Sequence, residues 1–359
     1  MNPAPCLKIQ EESFGKLPDG GNVVLYTLAN SNGQTLKVTN YGGVIVALTA
    51  ADRDGQYTDI VLGYQDLDHY QHDINYLGAL VGRCAGRIDK GCFNLDGRDF
   101  KLNLNSGEHH LHGGVKGLDK KLWQASVNKG VDNVSIALTT SSADGEEGYP
   151  GLLDIKVVYT LTDNDELIIG YEATTTKTTI FNPTQHLYFN LSGDADKNVL
   201  DHLLHIRSTY YLPINSDSIP TGEVSPVAAS PFDFRQSSPV GESINSDHDQ
   251  IQHGSGYDHY WLLDKPVVKN SQIAAQVIEP NSGRRLSVLT DQPGLVFYSG
   301  NYLDGQYQNK DKLPYMFRTG FCLETQRPPD APNHAHFPST KLEPGEQFSS
   351  TTVFVFDSI

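Results

Sequence analysis

Apolar residues in the readable segments of this 359-residue chain recur at every second position, and no helical period is sustained over three turns. Successive side chains of a strand point to opposite faces, so this alternation predicts strands with one face buried. Leu153-Asp-Ile-Lys-Val-Val-Tyr-Thr-Leu161 alternates, the polar run Thr162-Asp-Asn-Asp-Glu166 follows, and Leu167-Ile-Ile-Gly-Tyr-Glu172 comes next. Strand, polar turn, strand is a hairpin. Further strands are predicted over 133–140, 285–289, 295–298 and 350–356. The 33 glycines and 19 prolines are spread along the whole chain, which suits many short strands joined by tight turns. The expected fold is all-β, one domain over 1–359 built as a sandwich of large antiparallel sheets, with residues 1–10 loosely ordered. The polar stretch 226–256 is expected to form long surface loops, not a domain boundary.

A formal charge of −16 argues against binding to nucleic acid or to an anionic membrane surface. No segment has the apolar length that spans a bilayer, and the first residues lack the basic and apolar regions of a signal peptide. Cys6, Cys84, Cys92 and Cys322 stand in no metal-binding or redox spacing, so reduced thiols and a cytoplasmic location are expected. No Gly-x-x-x-x-Gly-Lys occurs, and Gly254-Ser-Gly256 lacks a third glycine because position 259 is a histidine; no nucleotide cofactor is expected.

Two short runs carry residues suited to proton transfer. Asn182-Pro-Thr-Gln-His186-Leu-Tyr-Phe-Asn-Leu191 sets His186 on a strand face shared with Thr184 and Tyr188, and Asn182, Thr184 and Asn190 suggest the floor of a polar cleft. Gly320-Phe-Cys-Leu-Glu324-Thr-Gln326 is an apolar strand that presents a carboxylate, which is costly to bury without a partner. An ion pair to Arg318 or Arg327 is the plain account; a general base with a raised pKa is the functional one. A carboxylate and an imidazole brought together exchange protons near neutral pH.

His109-His-Leu-His112-Gly-Gly114 invites a metal, but His109 and His110 would point to opposite strand faces, and no cysteine or carboxylate completes a site. His112 reads better as a hydrogen-bond donor beside glycines that allow close approach, and no metal is expected. Arg87 offers a fixed fork of donors for sugar hydroxyls and Asp258 accepts from them, or the two pair with each other. Tyr257, Tyr260 and Trp261 would cover an apolar sugar face.

Taken in order, Asn40-Tyr-Gly-Gly43, Asp59-Ile-Val-Leu-Gly63, Gly82-Arg-Cys-Ala-Gly-Arg87-Ile, Leu111-His-Gly-Gly114, the His186 run, Tyr257-Asp-His259, Gln292-Pro-Gly294, Leu323-Glu-Thr-Gln326, Pro329-Asp-Ala331 and Leu342-Glu-Pro-Gly-Glu346 resemble the aldose 1-epimerases, the galactose mutarotases, over nearly the whole chain. The resemblance implies a galactose-mutarotase-like β-supersandwich and an isomerase that interconverts α and β anomers of free aldoses such as galactose and glucose. It implies Glu324 as general base on the anomeric hydroxyl and His186 as general acid on the ring oxygen, with no cofactor. His112, Arg87 and Asp258 would bind the substrate. A monomer or weak homodimer is expected, with aldose sugars as the only partners. Two positions depart from the family pattern: Gly86 stands where many relatives carry asparagine, and Val296 where many carry glutamine. Each change removes a sugar hydrogen bond, typically worth about 0.5–1.5 kcal/mol, so sugar preference is expected to be broader or shifted. The competing readings are a glycoside hydrolase using Glu324 and Asp258, and a sugar-binding or sensor protein without chemistry.

Overall fold

The computed structural model describes residues 7–264 and 272–359. Residues 1–6, and with them Cys6 and most of the segment expected to be loose, lie outside the described residues; the first strand starts at Lys8. The largest sheet has nine strands, all paired antiparallel. It contains the predicted hairpin, Leu153–Thr162 against Glu166–Thr175, in unbroken register from Leu161↔Leu167 to Leu153↔Thr175. Asn133–Ser142 and Phe348–Ser358 flank the hairpin, and Arg284–Thr290 follows on the far side. In each of these the strand predicted from alternation is present and one to four residues longer in all. Alternation of buried and more exposed residues is most regular in Leu153–Thr162, where every second side chain enters the core.

Two five-stranded sheets complete the layers. One is the N-terminal meander Lys8–Lys16, Asn22–Ala29, Thr35–Thr39, Ile45–Ala51 and Tyr57–Asp59. The other runs Ser225–Pro226, Tyr210–Leu212, Asp258–Leu262, Gly294–Tyr298, Cys322–Gln326. One core joins all three sheets through residues such as Leu48, Tyr159, Phe189, Trp261 and Phe354. The α-helices among the described residues, Leu67–His72 and Asp249–Gly254, are six residues each. The second lies in the stretch expected to be loops, which also contributes the short edge strand Ser238–Pro239 to the nine-stranded sheet.

Candidate active site

Residues 182–189 run antiparallel beside the Cys322–Gln326 strand. Phe189 and Phe321 exchange both backbone hydrogen bonds, at 2.7 and 3.0 Å. The Thr184 hydroxyl donates to the Thr325 carbonyl at 3.0 Å. Three residues along each segment from the Phe189–Phe321 bridge stand His186 and Glu324, with His186 Nε2 3.6 Å from Glu324 Oε1. On the other side of Glu324 the sheet register is Glu324↔Val296↔Tyr260. The next row is Cys322↔Tyr298↔Asp258. Residues two apart on a strand share a face, so both rows look into one cleft.

That cleft is a cavity of about 260 Å³. His186 and Glu324 form its floor, each about 5% exposed or less. Arg87 and His112 join them from the short ladder Arg87–Ile88 against His110–Leu111, with the His112 ring edge-on to His186 at 5.2 Å. His112 sits at φ +51°, and its Nδ1 accepts from the Gly86 N–H at 3.2 Å. That bond fixes the tautomer, so the proton is on Nε2. Gly113 must lack a side chain, because a Cβ there would lie 1.7 Å from the Gly82 carbonyl oxygen. Arg87 Nη1 lies 3.6 Å from Asp258 Oδ2, and both residues line the cavity.

Burial dominates the electrostatics. It pushes the Glu324 carboxyl up to about 8, with the Asp258 charge adding to the rise and Arg87 opposing it. It pulls His186 down to about 4 and His112 well below the usual imidazole range. Asp258 is raised by burial and partly restored by Arg87. At neutral pH the Glu324–His186 pair therefore holds one proton, placed on the glutamate when the cleft is empty. The Cys322 thiol, raised by burial, lies 3.6 Å from the other ring nitrogen, Nδ1.

All five residues singled out from the sequence come together, but several neighbours do not. Asn182 is engaged with the Arg327 backbone and Asn190 with the carbonyls of Asp194, Lys197 and Thr319, so they brace loops and do not floor the cleft. Tyr257 and Trp261 point away into an aromatic cluster with Phe232, Phe234 and Phe297. Of that trio only Tyr260 lines the cavity. The aromatic lining is otherwise Tyr76, Tyr188, Tyr298 and Tyr302, of which the sequence reading placed none in contact with a ligand. Tyr298 stands two residues from Val296 on one strand, and that period was the signal available for it. Arg318 and Arg327 are not Glu324's partners: Arg318 bonds Asn245 and Ser255, and Arg327 stacks on Phe348. His110 bonds Tyr149 and the Asn103 carbonyl, while His109 faces Asp89 and Asp217. Arg83 is a buried clamp on the Ser142, Ala143, Pro150 and Gly151 carbonyls.

A β-sandwich whose cleft floor sets a buried carboxyl beside a buried imidazole belongs to the class of proteins equipped to move protons on a small polar ligand. The aldose 1-epimerase family profile matches residues 24–355. Galactose mutarotase from Sus scrofa is 43% identical over 350 residues, 98% of this chain and 99% of that protein. Aldose 1-epimerase from Escherichia coli is 37% identical, over 94% and 96% of the two chains. The solved structure of galactose 1-epimerase from Lactobacillus acidophilus superposes with a TM-score of 0.86 at 31% identity, covering 98% and 99%. This chain belongs to the aldose 1-epimerase family, and its fold is the all-β sandwich of that family.

Proposed function

We propose that this chain is a mutarotase whose reaction is carried by the Glu324–His186 pair. The observation behind this reading is the 3.6 Å approach of two buried groups of opposite proton affinity in the cleft. An anomeric hydroxyl donating to the Glu324 carboxylate and Arg87 nearby stabilise the ionised carboxylate, and the pair's proton then resides on His186. Glu324 takes the proton from O1–H, His186 gives one to the ring oxygen, and the C1–O5 bond opens to the aldehyde. The open-chain complex is left with a protonated Glu324 and a neutral His186, the state that burial favours. Rotation about C1–C2 presents the other carbonyl face. Ring closure returns the Glu324 proton to O1 while His186 removes one from the O5 hydroxyl. Each turnover restores the pair, so no co-reactant is consumed. His112 Nε2–H, Arg87 and Asp258 line the cavity where they can hold other hydroxyls of the ring.

Its substrates are free aldoses, galactose and glucose among them. One domain over 1–359, a monomer or weak homodimer, and a cytoplasmic location complete the proposal. The shared core, the free Cys84, Cys92 and Cys322, and the lack among the described residues of a helix long and apolar enough to cross a membrane support it. Polarimetry on freshly dissolved α-D-galactose, α-D-glucose and α-D-xylose tests the reading. Faster approach to the unchanged final rotation is expected, and no acceleration with any sugar by folded protein overturns it.

A further inference from the structure

Glu324 has different neighbours on its two sides. His186 stands on one side, at 3.6 Å, and Val296 is its cross-strand partner on the other. Cross-strand partners hold their Cβ atoms roughly 5 Å apart on the same face. An anomeric carbon is also two-sided, with the ring oxygen on one flank and C2 on the other. If O1 is at Glu324 and the ring oxygen at His186, C2 and its hydroxyl lie on the Val296 side. We propose that Val296 makes this site indifferent to the substituent at C2, so that 2-deoxyaldoses are substrates alongside their parents. The proposal rests on the acid/base reading above.

What continues the row strengthens it. Beyond Val296 the register leads to Tyr260 and then Leu212, and all three line the cavity. The Tyr260 hydroxyl is turned to the Gln326 carbonyl at 3.0 Å, so a sugar meets its ring and not its oxygen. Asp258 is only a diagonal neighbour of Val296, in the next row beside Tyr298, and is engaged by Arg87. Gly86 adds no donor either: a Cβ there would lie 2.7 Å from Pro329 Cβ, which occupies that part of the wall. Along this row a C2 hydroxyl meets methyl groups and a ring face, so replacing it by hydrogen leaves no side chain of the row without a partner.

The test compares kcat/KM for galactose, 2-deoxygalactose and 4-deoxygalactose by polarimetry. The wild type is expected to treat galactose and 2-deoxygalactose within about threefold, while 4-deoxygalactose loses about tenfold, the worth of one hydrogen bond. V296Q, or the near-isosteric V296T where V296Q fails to fold, is expected to shift the galactose to 2-deoxygalactose ratio about tenfold towards galactose. A wild-type preference for galactose over its 2-deoxy form of tenfold or more overturns the proposal. So does a V296T or V296Q effect that is equal for both sugars. If no sugar is accelerated, the acid/base reading has failed by itself. Calorimetric titration of the wild type then decides: equal Kd for the two sugars supports the role of Val296, and markedly weaker binding of 2-deoxygalactose overturns it.

Discussion

The nine-stranded sheet and the five-stranded sheet that carries Glu324 are both antiparallel, yet they are written in different sequence patterns. In Leu153–Thr162 buried and half-exposed side chains alternate without a break. In Gly294–Tyr298 and Cys322–Gln326 every residue is buried. One sheet has water on its outer face; the other has core on one face and the cleft on the other. A strand closed in on both faces loses its polar stripe, so the pattern that reveals a strand does not reveal which face is the site. Stability is therefore expected to reside in the first sheet and chemistry in the second.

The largest test of that division is Glu324→Gln. Turnover should fall by about 10³-fold, within the range for loss of a general base, while galactose still binds by calorimetry and the circular dichroism spectrum is unchanged. Wild-type-like rates would remove Glu324 as the base. In the nine-stranded sheet, Leu161→Ala should cost roughly 2–5 kcal/mol in denaturant unfolding, since Leu161 is fully buried. Its kcat/KM should stay within about twofold of wild type, and a collapse of activity in folded protein would erase the contrast.

Proton affinity sharpens the comparison. Below about 4 both members of the pair are protonated and no base is present; above about 8 both have lost their protons and no acid is present. A bell-shaped pH profile of kcat/KM with those limbs is expected. Stability follows the same groups with a defined sign. Glu324 binds its proton more tightly folded than unfolded, so between about 4.5 and about 8 the wild type loses stability as pH rises. Glu324→Gln carries no such charge, and its Tm should match wild type near pH 5 and exceed it at pH 9. Equal melting at both pH values would show that the carboxylate is not buried at a cost.

The smallest effect belongs to the solvent face of the hairpin. Lys156 and Glu172 lie 3.5 Å apart with nearly half of each side chain exposed. Lys156→Ala should change stability by about 0.5 kcal/mol or less and leave activity unaltered. A larger loss would mean that the outer face does more than meet water.

The sequence by itself determined the all-β class and the hairpin, with strand ends within three residues, and it singled out Glu324 and His186 as groups chemically able to move protons. Periodicity and side-chain chemistry are local properties, legible wherever water marks one face. Tertiary structure alone decided that His186 and Glu324, 138 positions apart in the chain, stand opposite each other, because that depends on the Phe189–Phe321 register between distant segments. It also decided that Asn182 and Asn190 brace loops, that Trp261 turns to the core while Tyr260 meets the cleft, and that Val296 lies beside Glu324. Those outcomes follow from which strand pairs with which, and a strand buried on both faces holds no record of that choice in its own residues.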